Sequence, residues 1–158
     1  MARIDLPPGD GDELIRLYGV SPAMGAAAAK FSDAVYTKSS LAPREREAAR
    51  MRIAEINQCT VCRETRTTST ESLSEIEYLG IAEWRGLTTL SERERLAAEF
   101  AERFALDHTN LDDDMWARLR AAYTDPEVFD LAVSVAGWLA LGRVTAIFDA
   151  GVTCRIEL

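Results

Sequence analysis

Histidine occurs once in this chain, at His108, and lysine only twice, at Lys30 and Lys38. Histidine is the side chain whose ordinary titration falls between pH 5 and 8, so its scarcity narrows the means of proton transfer and of metal ligation. The other basic residues are arginines, scattered without forming a stripe, which reads as a compositional bias. Lysine and arginine together number 18 against 26 acids, a net charge of −8. That field repels phosphate backbones and anionic headgroups, so neither nucleic acid nor a membrane surface is an expected partner.

Long apolar runs are also lacking. The opening MARIDLPPGDGDE carries acids early and has no apolar centre, unlike a signal peptide. The longest apolar stretch, Val128 to Leu141, falls short of the roughly 20 residues a membrane-spanning helix needs. A soluble, cytoplasmic protein is expected. Cysteine is sparse, at Cys59, Cys62 and Cys154, which argues against a structural disulfide framework. There is no phosphate-binding glycine loop, no Gly-x-Ser-x-Gly elbow and no paired-carboxylate hydrolase signature.

What is present suits one globular domain: 158 residues, 47% hydrophobic and 28% charged. Residues 1–20 read as an extension laid over a main body spanning 21–158. Helical periodicity recurs and no convincing strand is found, so an all-α, compact helical bundle is expected. Ser21-Pro22 opens one helix, with Met24, Ala28, Phe31 and Val35 as its apolar stripe. Pro43 opens the next, with Ala49, Ile53 and Ile56 on one face and its arginines and glutamates on the other. That helix should loosen at Asn57-Gln58, and a new turn should run from Cys59 towards Thr67. Glu75 to Leu79 forms a short helical piece, followed by a connection punctuated by Gly80 and Gly86. Ser91 and Glu94 make a capping box ahead of Leu96, Phe100 and Phe104. Asp112 caps a helix bearing Met115, Leu119 and Tyr123. Asp125-Pro126 starts a last helix, apolar nearly all round, which belongs in a core or at a subunit interface.

Cys59-Thr-Val-Cys62 has two common chemistries. Structural zinc needs four ligands, and here only Cys154 and His108 could complete a set, with no second paired motif. Dithiol redox chemistry needs only the pair: with two intervening residues at a helix start, both sulfurs lie on one side and can close a disulfide. Amides of a helix N-terminus and nearby cations favour the reactive thiolate. Arg66 stands four residues after Cys62, hence on the same helix face, and Arg63 four after Cys59. As alternatives, both are solvated surface groups, and Glu55 is a surface partner of Arg52 or Arg50.

The segment Leu41 to Arg66, LAPREREAARMRIAEINQCTVCRETR, resembles the active-site region of the carboxymuconolactone decarboxylase and alkyl hydroperoxidase D superfamily. Redox-active members carry Glu, eleven residues, Cys, two residues, Cys, three residues, His; Glu47, Cys59 and Cys62 fall on that pattern. The resemblance continues through Leu90 to Glu94 and Asp112 to Arg143, covering roughly residues 25 to 150. It implies an alkyl hydroperoxidase D-like all-α fold, homo-oligomers (often trimers or hexamers), and peroxide reduction by the thiol pair without cofactor or metal. It further implies that Cys62 attacks the peroxide, Cys59 resolves, Glu47 accepts a proton, and an external dithiol or protein reductant restores the pair.

One position departs. Arg66 stands where the relay histidine belongs, and Val61 where some members place another. Arginine can hold a thiolate electrostatically but cannot shuttle its proton. In an unbroken helix Glu47 and Cys59 would lie about 120° apart, so Glu47 nears the thiols only if the helix breaks at Asn57-Gln58. Two rival readings follow: a non-catalytic redox sensor or ligand-binding relative, and a lactone decarboxylase, which would ordinarily lack the cysteine pair. His108 reads as a loop hydrogen-bonding group, Cys154 as an inert thiol, Asp112 to Asp114 as a helix start, and Trp84, Trp116 and Trp138 as core or interface anchors.

Overall fold

The computed structural model of the chain describes residues 2–67 and 71–150, and Cys154 therefore lies outside the described residues. Among the described residues there is no strand. Eight α-helices follow one another: α1 (Glu13–Gly19), α2 (Pro22–Thr37), α3 (Pro43–Ile56), α4 (Thr60–Glu64), α5 (Glu75–Gly80), α6 (Glu92–Asp107), α7 (Asp113–Ala122) and α8 (Asp125–Phe148). A 3-10 segment, Ile81–Gly86, continues α5, and another, His108–Asn110, ends α6.

Helix starts sit where cap chemistry predicts them. Asp112 Oδ1 accepts from the Met115 N–H at 2.8 Å, and Ser91 and Glu94 cap each other reciprocally. Two further capping boxes, Ser74 with Glu77 and Thr124 with Glu127, open α5 and α8. The capping glutamates also receive arginines from elsewhere. Arg44 on α3 bonds both Glu77 (2.8 Å) and Glu94 (2.7 Å), and Arg93 bonds Glu127 (2.9 Å) together with Glu45. Each box thus fixes a helix start and its place in the bundle.

α3 is the central element, packed against α6, α8, α4 and the first 3-10 segment. On one side Ala49 and Ile53 meet Phe100, Ala101, Met115, Leu119, Leu131 and Val135 in the main core. On the other, Ala48 and Met51 meet Tyr78, Ile81, Trp84 and Ala98. The face bearing the arginines and glutamates is therefore covered as well: Glu45, Glu47 and Arg50 are buried, each ion-paired. A buried charge must be paired, and a surface charge at helical spacing looks the same in sequence. The α2 stripe holds only in part, since Val35 is buried while Met24 is 70% exposed. Trp84 and Trp138 are core residues, as expected.

α8 is longer than its apolar run suggests. At 24 residues it is long and apolar enough, by length and composition, to cross a membrane. It packs on α2, α3 and α6 as a core helix does, leaving Phe129 and Ile147 exposed.

The Arg44 cluster sets an acid sensitivity. Burial alone would raise the Glu77 carboxyl, but the Arg44 guanidinium and the Ser74 N–H and hydroxyl outweigh it and hold it at about 2. An unfolded glutamate titrates at about 4.3, so the stabilisation is complete above that pH and is lost as pH falls towards 2. Glu77→Gln should therefore lower Tm clearly at pH 7, with the gap to the parent closing between pH 4 and pH 2. A gap independent of pH would refute the assignment.

Candidate functional site

The thiol pair is positioned by the way α3 ends. Asn57 keeps helical angles and Gln58 turns left-handed, at φ 51°. The Cys59 N–H returns to Ala54 O (3.1 Å) and the Gln58 N–H to Glu55 O (3.1 Å), the paired bonds of a Schellman stop. Asn57 ties this stop to α8: its amide donates to the Trp138 and Leu139 carbonyls (3.2 Å each) and accepts from Arg143. The approach is close enough that a Cβ on Gly142 would come within 2.6 Å of the Asn57 amide nitrogen. The break expected at Asn57-Gln58 is present and redirects the chain into α4.

Cys59 is the N-cap of α4, and its sulfur accepts the Cys62 N–H at 3.3 Å. The two cysteines are joined as a disulfide with a Cα–Cα distance of 5.3 Å. They are not equivalent. Cys59 is 4% exposed, whereas Cys62 is half-buried and lines a cavity of about 180 Å³ with Val61, Tyr36, Arg50, Ile53 and Trp138. Burial pushes the Tyr36 phenol up, the nearby Arg50 charge opposing it only in part. The Trp138 indole N–H is buried beside the Tyr36 hydroxyl, an interaction that works against the rise of the Tyr36 phenol.

Arg50 holds the thiol turn in place. Its guanidinium donates to the carbonyls of Cys62 (2.7 Å) and Thr65 (2.9 Å), the exposed end of α4. The same group pairs with Glu47 (2.7 Å), whose carboxylate also accepts from the Tyr78 hydroxyl at 2.8 Å. Glu47 is fully buried; burial would raise its carboxyl, yet Arg50 and Tyr78 outweigh burial and hold it below the ordinary range. Both carboxylate oxygens face Arg50, which makes Glu47 a weak base and an anchor for the arginine. From sequence, Glu47 belonged to the site, Arg50 entered only as a possible surface partner of Glu55, and Tyr78 did not enter. An Arg three residues after Glu47 was a signal, but one shared by any surface ion pair.

Arg66 is placed differently from the expectation. α4 ends at Glu64 and Thr65 is extended (ψ 131°), so the four-residue helical relation between Cys62 and Arg66 lapses. Arg66 instead pairs with Glu75 at 2.8 Å and stacks 4.4 Å over the Tyr78 ring. It lines a separate depression with Arg63, Met51 and Tyr78, and its charge, reinforced by Glu75, is permanent. Arg63 is a surface group paired with Glu55 at 2.8 Å, which replaces the Arg52 or Arg50 partnership expected for Glu55. His108 is exposed at the end of α6. Among the described residues no group of histidine, cysteine or acidic side chains could hold a metal ion.

No protein-family model and no curated protein matches the sequence. Solved structures do. An uncharacterized peroxidase-related protein from Silicibacter sp. TM1040 superposes with a TM-score of 0.80 at 17% identity, over 94% of this chain and 90% of that one. A protein of unknown function from Agrobacterium tumefaciens, provisionally described as the antioxidant defence protein AhpD, superposes with a TM-score of 0.70 at 24% identity, over 83% of this chain and 91% of that one. The fold is that of the AhpD-like proteins. Within this AhpD-like frame, the broken helix, the Cys-x-x-Cys turn and the buried Glu47 belong to one continuous piece of chain, stabilised by Arg50.

Proposed function

We propose that the protein is a thiol-dependent peroxidase or disulfide oxidoreductase working through Cys59 and Cys62. The observation that carries the reading is the disulfide-ready pair with one buried sulfur and one facing a cavity. The Cys62 thiolate attacks the terminal oxygen of a hydroperoxide; the O–O bond breaks, Cys62 becomes a sulfenic acid, and the alkoxide leaves and takes a proton from water. The Cys59 thiolate, favoured by the Cys62 N–H, then attacks the Cys62 sulfur; the S–O bond breaks and hydroxide leaves, taking a proton from solvent to become water. An external dithiol attacks the same cavity-facing sulfur, Cys59 leaves as thiolate, and the second reductant thiol releases Cys62. Glu47 acts in this scheme by anchoring Arg50. With a permanent cation at Arg66 there is no histidine to return protons, so turnover should be slow relative to relatives that carry one.

Reduced protein mixed with hydrogen peroxide or tert-butyl hydroperoxide should lose two thiols per chain and show a Cys59–Cys62 disulfide by peptide mass analysis. Continuous turnover should follow on adding a dithiol. Thiols that survive peroxide would overturn the reading. A pair that oxidises but does not turn over with any dithiol would favour a redox sensor.

The same reading includes self-assembly in a reducing cytoplasm. α2 and α8 pack on each other and leave Met24, Phe129 and Ile147 exposed, which supports a homo-oligomer, a trimer or a hexamer. Sedimentation of Phe129→Lys/Ile147→Lys should give a smaller species than the parent.

A further inference from the structure

The wall of the Cys62 cavity opposite the core is supplied by the N-terminal arm, outside the segment that carries the thiol chemistry. Leu14 and Tyr18 of α1 line it, facing Val35, Ile53 and Trp138. The arm is seated by a few specific contacts. The Arg3 N–H donates to Phe148 O (2.9 Å), the Arg16 guanidinium to Pro7 O (2.9 Å), and α1 packs on α2. The seat on α2 depends on Gly25: a Cβ there would stand 1.9 Å from the Tyr18 carbonyl oxygen. Within α1 only Leu17 is buried, so this wall is held far less firmly than the core side.

The size of the cavity is selective. An enclosed apolar space of roughly 150 Å³ accepts a guest about as large as benzene; this pocket holds about 180 Å³ and is partly open to solvent. Its lining is mostly apolar and aromatic, with Ser32, Arg50, Asn57, Thr65 and Thr145 as its polar members. We propose that the N-terminal arm is the size filter of the thiol site. With Leu14 and Tyr18 in place, Cys62 is open to a compact, mostly apolar molecule and closed to bulkier ones. The proposal deepens the thiol reading by assigning specificity to two residues far from the cysteines. It requires Cys62 to be a reachable thiol, not a turning-over peroxidase.

Maleimide labelling separates the two. In reduced full-length Cys154→Ser protein, Cys62 labelling is followed with N-ethylmaleimide and with the much larger N-(1-pyrenyl)maleimide. The parent should react with the small reagent and only slowly with the large one. Leu14→Ala/Tyr18→Ala should speed the large reagent by on the order of tenfold relative to the small one. Gly25→Val, which pushes the arm away without touching the cavity, should do the same. If Gly25→Val fails to fold, as judged by its melting curve, the double alanine variant decides. An equal gain for both reagents, or none, overturns the filter, whatever the peroxidase assay gives.

Discussion

Cys62→Ser, in a Cys154→Ser background, should be inert towards peroxide, with turnover reduced by on the order of a thousandfold or more. Cys59→Ser should still react once, stopping at a sulfenic acid that a dimedone probe captures. The asymmetry follows from exposure: Cys59 is buried at the N-cap, whereas Cys62 lines the cavity through which, on the proposed function, a peroxide would arrive. Removing Cys62 removes the reachable nucleophile. Removing Cys59 removes only the group that resolves the intermediate, so the first step survives. In the second variant an added monothiol should form a stable mixed disulfide with Cys62, because no neighbouring thiol can displace it. Faster reaction of Cys62→Ser than of Cys59→Ser would reverse the assignment of the two roles.

The fold was legible to the extent that it is local. Pro22, Pro43, Ser91, Asp112 and Asp125-Pro126 mark helix starts because capping is a property of four or five consecutive residues. The break after Asn57 was legible too, although the residue that turns left-handed there is Gln58, with no glycine to announce it. What failed was the allocation of charge. The arginines and glutamates of α3 could be placed on a face of their own but not buried, because periodicity reports which positions share a side, not what covers that side. α3 has α6 on one side and the 3-10 segment on the other, and no local signal records this. Arg66 misled in a similar way: counting four residues presumes helix, and Thr65 ends the helix. The cavity joins Leu14, Cys62 and Trp138, three positions remote in sequence, and no pattern in a single chain connects them.

Arg50→Met should cost about 3–5 kcal/mol of folding stability, because it leaves the Glu47 carboxylate buried without its counter-charge. Glu47→Leu should cost a similar amount for the mirrored reason. The informative variant combines them. An apolar pair of similar volume in place of a buried ion pair is often neutral or stabilising, so Glu47→Leu/Arg50→Met should recover most of the lost stability. Its melting temperature should approach that of the parent. The thiol chemistry should not recover. Arg50 is the donor that holds the Cys62 and Thr65 carbonyls, and Met offers neither charge nor hydrogen bond. The α4 turn would then be free to shift, and a displacement of about 1 Å at a reacting centre can cost on the order of a hundredfold in rate. The double variant should therefore be a stable protein whose Cys62 reacts with peroxide ten- to a hundredfold more slowly. Loss of thiols at the parent rate would mean that the ion pair serves only to fill the core. Stability without reactivity would place Arg50 as the residue that aims the thiol, with Glu47 and Tyr78 fixing the arginine in turn.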